Sequence, residues 1–323
     1  MSNVSNSEID LSVVIPIYNE AALLPELIER LTTSTTLLDV QTEFIFVDDG
    51  SSDDSLAILK SFTKYGTMIR YLGLSRNFGH QIAIMAGLEH SRGKAVVIMD
   101  GDLQDPPELI PKLYEQYLNG FKVIYTTRTF RKGETWLKKI TAKIFYRVLM
   151  AITQVNIPVD AGDYRLIDRQ VVEVLTKMPE RYKYLRGQVA WIGFKQTCVA
   201  MERDERKQGK TNFTVRKMVR FAWDGITGFS DFPLKLATYF GFWVSFASLC
   251  IIIYALVSYF FWQQVVPGWT SQIIASTFIG GIQLLTIGII GEYIGRINGQ
   301  VRNRPLYVVA ETNIDSDSSN KNT

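Results

Sequence analysis

The sequence predicts an α/β domain built on a mostly parallel sheet and followed by a hairpin of two transmembrane helices. Short apolar runs recur through the first half of the chain with helical patterns between them. Acidic and polar residues directly follow several of these runs, and two long uncharged stretches lie near the carboxyl end. The 323 residues leave room for one domain of about 200 residues and a smaller second part.

The apolar runs have the length of buried β-strands and alternate with segments of helical periodicity. This alternation is typical of a parallel sheet covered by helices on both faces. In such sheets the ligand binds beyond the carboxyl ends of the strands. The predicted strands are Leu11–Ile17, Phe44–Val47, Ile69–Leu74, Ala95–Met99 and Val123–Tyr125.

Polar residues follow three of these strands at the edge where a ligand is expected. Turns and helix caps explain some of them, but not the convergence of so many carboxylates. Neighbouring acids repel each other unless a cation or a hydrogen-bonding ligand lies among them, and a divalent ion with a nucleotide diphosphate supplies both. The clusters are Pro16, Tyr18, Asn19 and Glu20, then Asp48, Asp49 and Gly50, then Asp100, Asp102, Gln104 and Asp105.

The composition excludes several other classes. A formal charge of +3 is too small for a nucleic-acid-binding domain, which concentrates Lys and Arg on one face. Two cysteines, Cys198 and Cys250, and two histidines, His80 and His90, cannot assemble a disulfide framework or a Cys/His zinc site, so a metal would need oxygen ligands. Residues 1–10 are polar and do not resemble a secretory signal, so we expect a cytoplasmic first domain.

The two uncharged stretches predict transmembrane helices. Ala237–Trp262 contains 26 residues and Thr270–Gly291 contains 22, and either length crosses a hydrocarbon core about 30 Å thick. We place the helices at 234–262 and 270–294, with a pair of buried helices in a soluble core as the alternative. The short link Gln263–Trp269 joins them as an antiparallel hairpin.

The charges that flank the hairpin predict its orientation. By the positive-inside rule, its basic side faces the cytoplasm. The first domain and a tail at 295–323 then share that compartment, so we expect an integral membrane protein with both termini cytoplasmic. The flanking basic residues are Lys235 before the hairpin and Arg296, Arg302 and Arg304 after it.

Two further segments, 137–149 and 213–231, have an apolar stripe beside a basic face at helical spacing. Such helices can lie in the membrane interface with basic side chains toward anionic head groups. Packing on the soluble domain is the alternative, and it stays open for 137–149. The second segment runs almost directly into the first predicted span, which favours the interface.

Six stretches carry a resemblance to a known family. In their order, and with the hairpin, they resemble family 2 glycosyltransferases of the bactoprenol glucosyltransferase and dolichyl-phosphate mannosyltransferase branch. The resemblance implies a GT-A, Rossmann-like domain over 11–212, a homo-oligomer, and inverting transfer of a sugar from a nucleotide to a polyprenyl phosphate at the cytoplasmic membrane face. The stretches are VVIPIYNE (13–20), FVDDGSSDDS (46–55), LSRNFGHQIAIMAGLEH (74–90), MDGDLQDPPE (99–108), GDYRLIDR (162–169) and GEYIGRINGQVRNRPLY (291–307).

The resemblance assigns the D-x-D motif to Asp100, Gly101 and Asp102, and it implies Mg²⁺ or Mn²⁺ bridging the donor diphosphate. An extended conformation would put Asp100, Asp102 and Gln104 on one side, where all three can present oxygens to the ion. The metal neutralises charge on the departing nucleoside diphosphate. We expect Asp102 to be the most important ligand for catalysis.

The same resemblance implies a nucleotide pocket and a set of phosphate-binding arginines. An aspartate in the pocket can accept a hydrogen bond from a base N–H, and the sequence does not show which of two adjacent aspartates does so. Arg128 and Arg206 can grip phosphate with two hydrogen bonds each. The expected pocket residues are Pro16, Tyr18, Glu20, Asp48 or Asp49, and Arg76.

Asp163 in the GDYRL stretch matches the acid that faces the reacting centre in this family. Its formal catalytic role is general base. A phosphomonoester, however, is largely dianionic near neutral pH and can attack the sugar without losing a proton to the enzyme. Orientation is therefore the alternative role for Asp163.

One segment departs from the family pattern. Related enzymes read R-x-x-G-x-[ST]-K, but here the segment that begins at Arg206 ends with Asn212 instead of lysine. A neutral amide cannot replace an ammonium beside a phosphate. In an extended segment Lys210 leaves on the same face as Asn212, so we hypothesise that Lys210 supplies the charge. The alternative is a solvated loop lysine.

The sequence does not determine the sugar. The full-length pattern favours UDP-glucose and undecaprenyl phosphate, and GDP-mannose with dolichyl phosphate is the alternative. A non-catalytic subunit that binds nucleotide sugars is a further alternative, which the intact D-G-D and GDYRL stretches oppose.

Overall fold

The computed structural model describes residues 8–62, 69–128, 161–181, 183–201, 232–257 and 268–314. These residues fall into two compact units. The larger unit contains one sheet with the helices that cover it, and it includes the residues after 303. The smaller unit contains two long helices.

The larger unit is built on an eight-stranded sheet in which every strand except β6 and β8 runs in the same direction. The mostly parallel sheet and its five predicted strands are confirmed, and three further strands add to them. The strand order is β7–β5–β6–β4–β1–β2–β3–β8. The strands are β1 Leu11–Ile17, β2 Thr42–Asp48, β3 Ile69–Leu74, β4 Ala95–Ile98, β5 Val123–Arg128, β6 Ala161–Asp168, β7 Gln196–Met201 and β8 Val309–Thr312.

Helices cover both faces of this sheet. Residues of α1 and α4 belong to one apolar layer, and residues of α3, α5 and α6 belong to the other. A short 3₁₀ turn, Pro107–Leu109, precedes α4. The helices are α1 Leu24–Thr36, α2 Ser55–Phe62, α3 His80–His90, α4 Ile110–Leu118, α5 Arg169–Lys177, α6 Leu185–Ile192, α7 Phe232–Val257 and α8 Trp269–Val301.

Strand β1 is buried on both sides, so its residues alternate between the two layers. Val13 and Ile15 pack in the layer of α1 and α4, whereas Val14 belongs to the layer of α3. A Cβ atom at Gly87 would lie 2.3 Å from Val14 Cγ1, so α3 can lie directly on the strand because this position has no side chain. The continuous apolar run of β1 therefore reflects the double burial of a central parallel strand.

Strand β8 pairs antiparallel with β3 and closes one edge of the sheet. The Asn313 side chain secures it, because Oδ1 accepts from Tyr71 N at 2.7 Å and Nδ2 donates to Ile69 O at 3.0 Å. We expected a polar tail over 295–323, but part of that segment is a strand of the sheet. The sequence pattern gave no signal because β8 is a short edge strand with mostly exposed side chains.

The smaller unit contains α7 and α8, which contact each other. Among the described residues, Phe278–Val301 is the stretch long and apolar enough to cross a membrane. Residues 258–267, which include the end of the first predicted span, lie outside the described part of the chain. The predicted two-helix hairpin is therefore not confirmed. The segments 137–149 and 213–231 also lie outside the described residues.

A buried carboxylate connects the strands at the amino-terminal edge of the sheet. Glu43, on β2, has no exposed surface. Its Oε1 accepts from Ser12 Oγ at 2.6 Å and from Arg92 N at 2.7 Å, and its Oε2 pairs with Arg70. Ser12 Oγ accepts in turn from Gly93 N at 2.8 Å. Both carboxylate oxygens are thus satisfied in a network that joins β1, β2, β3 and the residues before β4.

We expect Glu43→Ala to lower the unfolding midpoint by roughly 10 °C. Removing one partner of a buried ion pair costs about 3–5 kcal/mol, and this change leaves Arg70 without its carboxylate. Thermal unfolding of the detergent-purified protein measures the shift. Glu29→Ala is the matched control, because Glu29 is exposed on α1 and its loss should change the midpoint little. Equal shifts for both variants would show that the network does not stabilise the sheet.

Candidate functional site

A cleft of about 330 Å³ opens beyond the carboxyl ends of β1, β2 and β4. This is the edge of the sheet at which the sequence predicts ligand binding. Six of the predicted site residues line it, together with residues that follow β3. The lining residues are Pro16, Ile17, Tyr18, Glu20, Asp49, Asn77, His80, Asp100, Gly101 and Asp102.

The loop between β1 and α1 is held by the loop between β2 and α2. Asn19 has a left-handed backbone with a φ of 56°, and its N–H donates to Ser51 Oγ at 2.9 Å. The Glu20 N–H donates to Ser55 Oγ at 3.1 Å. These bonds account for part of the polar sequence after both strands, and they fix the loop that presents the half-exposed Tyr18 to the cleft.

Asp49 lines the cleft and braces the loop between β3 and α3. Its two carboxylate oxygens accept from Phe78 N at 2.7 Å and from Gly79 N at 2.9 Å. Burial raises the pKa of Asp49, and these two backbone hydrogen bonds oppose the rise. Asp49 therefore faces the cleft with both oxygens already engaged by backbone N–H groups.

Asp48 is buried beside the cleft and does not line it. Its Oδ2 accepts from Ser51 N at 3.3 Å, and its Oδ1 is buried with no hydrogen-bond partner among the described residues. Burial raises the pKa of Asp48. A buried acceptor without a donor is costly, so a ligand N–H that reached it would be favoured. The choice between Asp48 and Asp49 thus stays a prediction. Asp49 lines the cleft, whereas Asp48 has the carboxylate oxygen without a hydrogen-bond donor in the described part of the chain.

Gly50 allows the loop after β2 to approach Arg76 closely. Its φ is +70°, and a Cβ atom there would lie 2.5 Å from the Arg76 carbonyl carbon. The Arg76 guanidinium lies 4.1 Å from the centre of the Phe78 ring, and Nη1 donates to Asn77 O at 3.1 Å. Arg76 is exposed and does not line the cleft, although its neighbour Asn77 does.

The residues after β4 form a turn and not the extended stretch that we expected. Leu103 has a φ of 58°, and Gln104 N donates to Asp102 Oδ1 at 3.1 Å. The turn brings Asp100 and Asp102 to the cleft but leaves Gln104 buried and outside its lining. The expectation that alternation aligns all three side chains is wrong, because alternation applies only to extended backbone. The predicted role of Gln104 as a metal ligand gains no support from this geometry.

His80 begins α3 and lines the cleft beside the acids. Its Nε2 lies 3.4 Å from Asp100 Oδ1. Asn77 lines the same cleft from the preceding loop. Neither residue was predicted as part of the site. The available signal was their position directly after the third apolar run, where strand ends meet.

Asp163 lies on β6, which runs antiparallel to β4. The pairing sets Ile98, the last residue of β4, opposite Arg165, so the end of β4 that leads to Asp100 lies beside the part of β6 that carries Asp163. Both acids therefore belong to the same edge of the sheet, although their strands run in opposite directions.

An arginine from α6 holds the Asp163 carboxylate. Arg186 Nε donates to Oδ1 at 2.8 Å, and Nη2 donates to Oδ2 at 3.0 Å. Burial raises the pKa of Asp163, but the hydrogen bonds and charge of Arg186, followed by the charges of Arg165 and His80, outweigh burial and lower the pKa to about 2. Asp163 is therefore ionised at neutral pH and is a weak proton acceptor.

The geometry does not test the predicted phosphate-binding residues. Arg128 is the last residue of β5, and its side chain is outside the described structure. Arg206 and Lys210 lie outside the described residues. The hypothesis that Lys210 supplies the missing charge therefore stays a prediction.

The acids of the cleft fit a divalent ion with oxygen ligands. Asp100 and Asp102 present their carboxylates from one turn, and a Cβ atom at Gly101 would lie 2.4 Å from Ile17 Cδ1, so this turn packs directly on β1. In the described part of the chain, no group of three or more His, Cys, Asp or Glu side chains could enclose a metal ion. Such a donor set suits Mg²⁺, which commonly takes one or two carboxylates and completes its shell with water and substrate phosphates.

Comparisons with known proteins address the same region of the chain. The family model described as Glycosyl transferase family 2 matches residues 12–176. The "Uncharacterized glycosyltransferase YkcC" of Bacillus subtilis (strain 168) is 43% identical over 304 residues, covering 94% of each chain. The "Uncharacterized glycosyltransferase sll0501" of Synechocystis sp. is 43% identical over 303 residues, covering 94% of this chain and 95% of that protein.

A relative with a more specific name aligns over nearly the whole chain. The "SfII prophage-derived bactoprenol glucosyl transferase" of Shigella flexneri is 35% identical over 302 residues, covering 94% of this chain and 98% of that protein. The matched family region begins in β1, includes the cleft, and ends in α5. The cleft of acids at the edge of a mostly parallel sheet, the family match and these relatives together show that the chain belongs to the family 2 glycosyltransferases.

Proposed function

We propose that this chain transfers glucose from UDP-glucose to undecaprenyl phosphate at the cytoplasmic face of a membrane, with inversion at the anomeric carbon. The observation that carries the proposal is the cleft, in which Asp49, Asp100 and Asp102 meet beyond parallel strands. Asp163 lies on the strand beside β4. The relative named bactoprenol glucosyl transferase supports the choice of sugar and lipid, since it aligns over 94% of this chain.

The nucleotide would bind at the wall formed by the loop after β1. Tyr18 is half-exposed there and offers an aromatic face to a base, a contact that contributes about 1–3 kcal/mol per base in proteins that bind single-stranded nucleic acids. Pro16 and Glu20 line the cleft on either side of it. Asp48 or Asp49 would accept a hydrogen bond from a base N–H.

A divalent ion, Mg²⁺ or Mn²⁺, would be held by Asp100 and Asp102, with the donor diphosphate completing its shell. When bound, it neutralises the charge that develops on the departing nucleoside diphosphate. Asp102 is oriented for this task by the Gln104 N–H. Gln104 thus serves the turn through its backbone, and no ligand role for its side chain is needed.

The surroundings of Asp163 favour orientation over proton abstraction. A carboxylate with a pKa of about 2 is a poor base at neutral pH, and a largely dianionic phosphate does not need one. As a fixed hydrogen-bond acceptor, Asp163 can hold a hydroxyl of the sugar or the remaining proton of a monoanionic phosphate in place. Asp163 would then contribute to the rate by orienting the substrates and not by accepting a proton.

The membrane part of the proposal rests on α7 and α8. Large apolar side chains along both helices are exposed in the described structure, and Phe278–Val301 has the length and composition of a membrane span. Such a surface is unfavourable in water and favourable in lipid. We propose two spans, with the start of the first and the end of the second on the cytoplasmic side. The catalytic unit then lies in the compartment that the lipid phosphate faces. Assembly into a homo-oligomer stays a prediction.

The proposed activity is tested directly with a panel of substrates. Detergent-purified protein should form a glucosyl lipid from UDP-glucose and undecaprenyl phosphate, identified by mass spectrometry, and little product from GDP-mannose. If a mannosyl lipid were the main product, the donor would be GDP-mannose and not UDP-glucose. Binding of UDP-glucose without product for any lipid would indicate a non-catalytic binding subunit.

We expect Asp102→Ala to abolish transfer while the unfolding midpoint stays within a few degrees, because the half-buried Asp102 side chain lines the cleft and is not part of an apolar layer. Chelation of divalent ions should abolish transfer in the wild type as well. Glu115→Ala is the control, since Glu115 is exposed on α4 away from the cleft lining. Full activity of the wild type in chelator would remove the metal from the proposal.

We expect no acid limb from Asp163 in the pH profile of transfer above about pH 5. Its folded pKa, about 2, lies below the ordinary value of 3.8, so the carboxylate loses its charge only as pH falls well below that value. The wild-type profile should follow the acceptor phosphate, whose second pKa is about 6. Asp163→Asn should lower kcat at least about tenfold and leave the profile shape and the donor KM unchanged. A limb that disappears in Asp163→Asn would identify Asp163 as the base.

A further inference from the structure

Two arginines hold Asp163 from different sides. On the backbone side, the buried Arg165 donates through Nη2 to Gly162 O at 2.8 Å and through Nε to Asp163 O at 3.3 Å. Its Nη2 lies 3.6 Å from Asp163 Oδ1, which is too far for a hydrogen bond. On the side-chain side, Arg186 is the residue in the described structure that hydrogen-bonds the carboxylate. The backbone and the carboxylate thus have separate supports.

Arg186 approaches Asp163 from a helix with a fixed position. Helix α6 begins at the buried Leu185, whose N–H donates to Gln81 Oε1 on α3 at 3.2 Å. Val189, about one turn later, is buried in the apolar layer that α3 shares. Rotation of α6 would uncover both apolar side chains, so the guanidinium is held in its direction of approach.

The Asp163–Arg186 pair borders the ligand edge and is not sealed in the core. The side chains are 19% and 30% exposed, respectively. Two parallel N–H···O bonds fix the plane of a carboxylate, which the single point charge of an ammonium does not. A carboxylate without such a clamp can turn to other rotamers, and a misplacement of about 1 Å at a reacting centre costs roughly 100-fold in rate.

We propose that Arg186 is a positioning residue for the transfer reaction, which fixes the plane and direction of the Asp163 carboxylate toward the bound substrates. The inference rests on the proposed function and extends it to a residue outside the motif stretches. Arg186 acts through Asp163 and not through the donor nucleotide, because it is absent from the lining of the cleft. Its loss should therefore affect turnover and spare donor binding.

The test compares kcat and the donor KM of wild type, Arg186→Gln, Arg186→Lys, Asp163→Asn and the Arg186→Gln/Asp163→Asn double variant. We expect Arg186→Gln to lower kcat about 10–100-fold, the range found for outer-shell partners of active-site ligands, with a donor KM within about twofold of wild type. The kcat of Arg186→Lys should lie between those of wild type and Arg186→Gln. The double variant should have the kcat of Asp163→Asn, because the clamp has no effect without the carboxylate.

Arg181→Gln is the matched control. Arg181 precedes α6 and donates to Arg304 O at 3.0 Å, so its removal deletes an arginine of the same region without touching Asp163. Its kcat should stay near that of wild type. If Arg186→Gln does not fold, Arg186→Lys carries the comparison, since it keeps the positive charge beside Asp163, and its kcat should fall at an unchanged donor KM and unfolding midpoint.

Three results would overturn the inference while the proposed function stands. The first is a kcat equal to that of wild type in Arg186→Gln or in folded Arg186→Lys. The second is a rise of the donor KM in Arg186→Gln as large as its fall in kcat. The third is a kcat of the double variant that falls by the product of the two single losses. A wild-type enzyme that forms no lipid product would instead overturn the proposed function and the inference with it.

Discussion

The concentration of carboxylates at one edge of the sheet is the constraint to which the rest of the site responds. Parallel strands bring their carboxyl ends to the same edge, so Asp49, Asp100 and Asp102 are forced into one cleft. The protein compensates the acids differently. Two backbone N–H groups engage Asp49 and a guanidinium engages Asp163, whereas Asp102 accepts from the Gln104 N–H and Asp100 lies near His80 Nε2. Asp49 thereby holds a loop, and the proposed function assigns the cation to Asp100 and Asp102.

The reversed direction of β6 adds the fourth acid to this edge. In a strand antiparallel to β4, residues near its start lie beside the end of β4, so Asp163 is brought to the edge of the sheet from which Asp100 follows. The reversal also places Arg165 inside the sheet, where it hydrogen-bonds the carbonyl groups at the start of the same strand. One strand therefore supplies an acid, the support for its backbone, and a position open to a clamp from α6.

The sequence predicted the elements whose signal is local. The run of β1 is continuous because both of its faces are buried, and three acids that follow β2 and β4 in the sequence, Asp49, Asp100 and Asp102, line the cleft. The details that failed depend on backbone conformation or on distant contacts. The left-handed Leu103 converts an expected extended stretch into a turn and removes Gln104 from the cleft. Arg186 meets Asp163 only through the packing of α6, which no spacing or periodicity in the sequence reveals.

The order of elements along the chain links one wall of the cleft to a strand that follows the two long helices. Strand β8 follows α8 in the sequence, yet it pairs with β3, and Ser75 N donates to Val308 O at 2.9 Å where the loop after β3 begins. Asp49 holds the same loop at its other end, at Phe78 and Gly79. Until β8 is synthesised, β3 is an open edge strand, and such edges are prone to incorrect pairing. The loop that carries Asn77 into the cleft is therefore braced at both ends only after the two long helices have been made.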